Sequence, residues 1–173
     1  KLYGAEIVGI YKIAKEIASL IAKLTDPVYQ AIYPELAKML ANGKKLEAKQ
    51  MAMKISLYTG GAGVVFYGLF ALLGEWAISL AFGSEFLDAY DVTLVYFIAI
   101  LIAIVTLPLY PMQHAFGYAK KAFSNQIHAT LVYFPVLFPM IFFFEMIGAS
   151  IAYVFYYTYL SRLTLNSVKK GFQ

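Results

Sequence analysis

Residues 8–35 read VGIYKIAKEIASLIAKLTDPVYQAIYPE, a run with the length and apolar content of a membrane helix that is nonetheless crossed by charge. Wound at about 100° per residue, Lys12, Lys15, Glu16, Ser19, Lys23, Asp26 and Gln30 fall within roughly one third of the helix circumference. Ala14, Ala18 and Ala22 form a small-residue ridge on the far side, where a neighbouring helix can approach closely. The rise from Lys12 to Gln30 is ~27 Å, close to the ~30 Å hydrocarbon core of a bilayer. Lipid cannot solvate such a stripe, so it is expected to face protein or a wet cavity.

Composition agrees with a membrane setting. Of the 173 residues 61% are hydrophobic and only 14% charged, with a mean hydropathy of +0.68, whereas a soluble domain carries about 25% charged residues. Several apolar runs approach bilayer length, and no ten-residue alternating segments of a transmembrane barrel are visible. The expected class is all-α: a polytopic membrane helix bundle of about five transmembrane helices, in a single domain covering residues 1–173. With no Cys, disulfides and thiolate metal sites are excluded. The start at Lys1 without Met or a signal-peptide pattern suggests a piece of a longer polytopic protein.

The expected path is a first helix over about 5–36, with Pro27 and Pro34 near its end, then a basic turn over 37–54 with Asn42-Gly43 as its stop signal. A second helix over about 55–82 opens on Gly60-Gly61-Ala62-Gly63, suited to tight packing, and closes on Glu75-Trp76 at an interface. An acidic turn (Glu85, Asp88, Asp91) leads to a third helix over about 92–112, followed by Lys120 and Lys121. A fourth helix over about 122–144, bent at Pro135 and Pro139, exits at Glu145, and a fifth over about 147–163 ends in a tail with Arg162, Lys169 and Lys170. The turns alternate basic and acidic, and cations accumulate on the cytoplasmic side of membrane proteins. The first helix is therefore expected to run inward and the tail to be cytoplasmic. This placement accounts for the net charge of +4 without nucleic acid.

The stripe carries Lys12, Lys15 and Lys23 against Glu16 and Asp26. Pairing of Lys12 with Glu16 and of Lys23 with Asp26 would make it a plain docking surface. One lysine is left over even then, and an unpaired buried cation is costly. The surplus points to a hydrated cavity for an anionic ligand, with Tyr11 and Gln30 beside the lysines and Glu16 and Asp26 for charge pairing or ion coupling. Tyr29 and Tyr33 also flank the stripe, while belt and packing roles account for most of the fifteen tyrosines. His114 and His128 read as solvated interfacial residues. Asp88 and Asp91 read as topology rather than as a metal pair. No nucleotide-binding, nucleophile-elbow or metal-spacing motif is present, so neither an enzyme nor a cofactor is expected.

The opening VGIYKIAKEIASLIAKLTDPVYQAIYPELAKML, ending in the aromatic-Pro-Glu-Leu of Tyr33–Leu36, resembles a helix of bacterial polysaccharide transporters that follows their seventh span. Leu80-Ala-Phe-Gly-Ser-Glu-Phe86 and the stretch from Pro108 to Gly117 are similar to the same family. This is the oligosaccharide-lipid flippase family, O-antigen flippases included, within the multidrug/oligosaccharidyl-lipid/polysaccharide exporter superfamily. The resemblance implies the C-terminal bundle of a two-bundle transporter, helices eight to twelve, with the N-terminal bundle of the same chain as partner. It implies translocation of undecaprenyl-pyrophosphate-linked oligosaccharide repeat units across the bacterial cytoplasmic membrane by alternating access, with possible H+ or Na+ coupling. The residue reading leaves three alternatives standing: a cation-coupled small-molecule exporter, a membrane glycosyltransferase or polymerase using the outer-loop acids, and a non-catalytic scaffold.

Overall fold

The computed structural model describes residues 5–173, without the side chains of residues 5–8, 18, 21, 22 and 24. The regular elements are helices throughout: α1 (Ala5–Leu24), α2 (Asp26–Ala41), α3 (Lys45–Phe82), a 3-10 turn (Ser84–Phe86), α4 (Ala89–Val105), α5 (Leu109–Ala115) and α6 (Ala119–Phe172). By length and composition, three helical stretches among the described residues can cross a membrane: α3, α4 with α5 (Ala89–Ala115), and α6. The charges that recur along α1 keep it out of that set.

The boundaries correct the expected path in four places. The first helix is not continuous over 5–36. It breaks at Thr25 because Pro27, at the start of α2, has no N–H to give to the preceding turn. The stop at Asn42-Gly43 holds, with Gly43 at φ 73° and the Lys44 N–H returning to the Met39 carbonyl. The basic segment beyond it is not a turn: Lys45–Lys54 already form the first turns of α3, since Lys, Leu, Glu, Ala, Gln and Met all favour helix. The third helix ends earlier than expected, at Val105, and resumes after Pro108 as α5. The last helix continues past residue 163 to Phe172.

As a straight rod the 54 residues of α6 would reach ~81 Å, far beyond a bilayer. Glu145, at φ 51° and ψ −126°, breaks it into arms over 119–144 and 146–172. Those arms fold back on each other. Asn125 donates to Ser167 Oγ at 3.2 Å, and the rings of Tyr133 and Tyr153 lie 5.2 Å apart. The reversal depends on Gly148, where an added Cβ would fall 1.9 Å from the Met140 carbonyl oxygen. Pro135 and Pro139 stay inside the first arm without breaking it.

At the centre lies α4, packed against α1, α3 and α6. Its register with α3 is antiparallel. Thr59 Oγ1 reaches the Ile104 carbonyl, Gly60 faces Val105, Gly63 faces Leu101, and Tyr90 donates to the Ala71 carbonyl at 2.7 Å. The second arm of α6 runs parallel to α4 and α5. Ser150 donates to the Val92 carbonyl at 3.0 Å, Thr106 Oγ1 lies 3.0 Å from Ser161 Oγ, and the Phe116 and Phe172 rings are 5.1 Å apart.

These registers separate charge along the bundle. Lys45 donates to the Gly171 carbonyl at 2.9 Å, which brings the start of α3 to the basic tail of α6. At the opposite end, Gly74 meets Tyr90, so Glu75, Asp88 and Asp91 belong to the same end of the bundle. The basic end is sealed by Ile32, Leu36, Ala48, Met112 and Val168. A second core of Tyr96, Phe97, Ile100 and Ile104 fills the middle of α4.

Candidate functional site

Along α1, Ile10 and Ala14 are buried on the side that meets α4, as the small-residue ridge requires. Ala18 and Ala22, the remainder of that ridge, lie outside the described side chains. Lys12, Lys15, Glu16 and Lys23 are exposed, as are Asp26 and Gln30 on α2. The stripe is thus one open face of the bundle. Ser19, half-buried, turns its hydroxyl to the Glu16 carbonyl at 2.8 Å.

The pairing expected of a plain docking stripe does not form. Among the described residues the single ion pair is Lys44–Glu47, at 3.1 Å and far from the stripe. Lys12 and Glu16 therefore share a face without bridging, and so do Lys23 and Asp26. On α2 the rings of Tyr29 and Tyr33 stack at 6.3 Å and 11°, with Tyr33 40% exposed.

Tyr11 is the stripe's link to the interior. It is half-buried and lies in electrostatic range of Tyr96 on α4, Tyr133 on the first arm of α6 and Tyr153 on the second. Around them the rings continue in contact. Tyr96 and Tyr153 are 4.9 Å apart, Tyr133 and Tyr156 are 5.7 Å apart, and Tyr156 and Tyr157 are 5.2 Å apart. Tyr110 approaches Tyr156 and Tyr157 from α5, and Gln126 donates to the Tyr156 hydroxyl. Tyr133 sits about halfway along its arm, so the cluster lies near mid-depth of the bundle. One helical turn separates Tyr11 from the exposed Lys15, so the open charged face and the tyrosine cluster meet on the same stretch of α1.

Of the residues the sequence singled out, Tyr11 is drawn into this cluster and Lys12 and Lys15 stand within one turn of it on the open face, while Lys23 and Gln30 lie ~18 and ~28 Å further along the helical path, away from the cluster. Sequence reasoning did not find Tyr96, Tyr133, Tyr153, Tyr156, Tyr157 and Gln126. The available signal was Tyr153, Tyr156 and Tyr157 at spacings of three and four residues on one helix face. Outside the cluster, His128 is occupied locally, with Nδ1 2.6 Å from the Ser124 carbonyl. No group of three or more His, Cys, Asp or Glu side chains able to hold a metal occurs among the described residues.

Chemically, the arrangement suits a ligand that combines hydroxyl-rich rings with negative charge. Tyrosines offer flat faces for sugar rings and hydroxyls for hydrogen bonds, and ammonium groups attract phosphate as compact point charges. No family model, curated protein or solved structure matches the chain.

Proposed function

We propose that this chain is one helical bundle of a membrane transporter that carries lipid-pyrophosphate-linked oligosaccharides across the cytoplasmic membrane of bacteria. The observation that carries the reading is the exposed lysines of α1, without an ion-pair partner among the described residues, of which Lys12 and Lys15 adjoin a tyrosine cluster near mid-depth. Transporter sites characteristically lie near the bilayer midplane and are built between helices. In the proposed arrangement the bundle has five spans: α1 with α2, α3, α4 with α5, and the two arms of α6. The basic end is cytoplasmic, following the cation bias of membrane proteins.

A second bundle would close the open face into a cavity. Lys12, Lys15 and Lys23 draw in the pyrophosphate, Tyr11 and the cluster behind it receive the sugar rings, and Gln30 contributes hydrogen bonds towards the basic end. Glu16 and Asp26 hold the lysines apart or bind a coupling H+ or Na+. The interruptions of helix at Thr25 and after Val105 supply the discontinuities that transporter helices use in moving. No covalent chemistry is asked of the protein.

The test is export of a lipid-linked oligosaccharide in cells that depend on this protein. Replacing Lys12, Lys15 and Lys23 together by Gln is expected to abolish export while the protein stays in the membrane at its normal level. Unchanged export by that variant would refute the cavity role. Loss of export on replacing Asp88 and Asp91 by Asn, with the lysine variant active, would favour an enzyme acting on the same lipid-linked sugars.

A further inference from the structure

Away from the stripe, a groove of about 1120 Å³ runs between α3, the α4–α5 junction and the second arm of α6. Its α3 wall wraps more than half of the helix between Lys45 and Val64, with Lys45, Lys49 and Lys54 at the basic end and Ser56, Gly60 and Gly61 beyond them. Leu101, Val105 and Leu109 form the floor, and Lys169 overhangs the basic end. Lys45 is engaged with the Gly171 carbonyl. Lys49, Lys54 and Lys169 are exposed and have no ion-pair partner among the described residues.

We propose that this groove holds one anionic glycerophospholipid, its phosphate at Lys49, Lys54 and Lys169 and an acyl chain along Gly60, Gly61 and Val105. Two independent features meet here. Cations gather at one end only, and the trough beyond them is apolar. From Lys54 to Val64 the helix rises ~15 Å, half of a ~30 Å hydrocarbon core, so the trough is one leaflet deep below its cations. Gly61 has open space where a side chain would stand, which keeps the trough clear. A free phosphate would leave the apolar walls exposed, and a zwitterionic lipid would leave the cations uncompensated. Basic recesses between membrane helices bind anionic headgroups on these terms. The groove uses none of the stripe's residues, so this inference stands or falls apart from the transport reading.

The protein, purified from membranes in detergent, is titrated with dioleoyl-phosphatidylglycerol and with dioleoyl-phosphatidylcholine, and bound lipid is counted by native mass spectrometry. One phosphatidylglycerol is expected to be retained in preference to phosphatidylcholine. The K49Q/K54Q/K169Q variant is expected to lose that preference, with a fall in phosphatidylglycerol affinity on the order of 10-fold or more. G61L is expected to weaken both lipids with the circular dichroism spectrum unchanged, because it fills the trough. Equal retention of the two lipids by the unmodified protein, or an undiminished preference in the triple-lysine variant, would overturn the proposal.

Discussion

The outer faces of α1 and α3 are both open, and they are open to different things. On α3, Leu57, Val65, Leu69, Leu72 and Leu80 are exposed, 52–82% of each side chain. No charge interrupts the helix between Lys54 and Glu75, a rise of ~32 Å that matches the hydrocarbon core. On α1, the open face carries Lys12, Lys15, Glu16 and Lys23. Exposure alone therefore does not identify a lipid surface. An apolar open face is solvated by acyl chains, whereas a charged one at the same depth needs water or a protein partner.

The largest effect follows from putting charge where the contrast forbids it. Leu69→Arg on the open α3 face is expected to cost about 2.5–3.5 kcal/mol of membrane insertion, read as loss of inserted product in a glycosylation-mapping assay. Lys15→Arg on α1 should insert as the parent does.

Next comes the seam that holds the lipid-facing helix to the core. Gly60→Leu drives a side chain into Val105, already 2.8 Å from the position of a Cβ. Destabilisation of about 1–3 kcal/mol is expected, seen as a lowered melting temperature in detergent. Gly61→Leu, one residue along and facing open space, should leave the melting temperature nearly unchanged.

Within the core, Gln113 is fully buried in α5, and neither of its amide atoms finds a partner among the described residues. Gln113→Met removes that polar group at similar volume and is expected to stabilise the bundle by about 1 kcal/mol. A fall in melting temperature would show that a water or ligand satisfies the amide.

The smallest effect on stability is expected where the effect on the proposed transport is greatest. Replacing Lys12, Lys15 and Lys23 by Gln should shift the melting temperature by no more than about 0.5 kcal/mol allows, since no ion pair is lost. A larger loss would mean that the lysines are structural.

The helical class, the stop at Asn42-Gly43, the close approach at Gly60 and Gly63, and the alternation of charged ends were legible because each rests on local composition or spacing. The break at Thr25 was hidden, because Pro27 reads equally well as a bend within a helix and as the first turn of a new one. Lys45–Lys54 were misread as a turn, since polarity was weighed above the helix preference of the same residues. The tyrosine cluster was not legible at all. Tyr11, Tyr96, Tyr133 and Tyr153 come from four different helical segments, and only the fold-back at Glu145 and the register of α4 bring them together.

The most direct test is cysteine-scanning accessibility, which the absence of native Cys makes free of background. Single cysteines at positions 12, 15, 16, 23 and 26, and at 65, 69 and 72, are exposed in membranes to an impermeant thiol reagent. The stripe positions are expected to react and the three α3 positions to stay inert, with a cysteine at buried position 14 inert as well. A stripe as unreactive as α3 would contradict a hydrated cavity and would make the lysines of α1 part of a static docking surface.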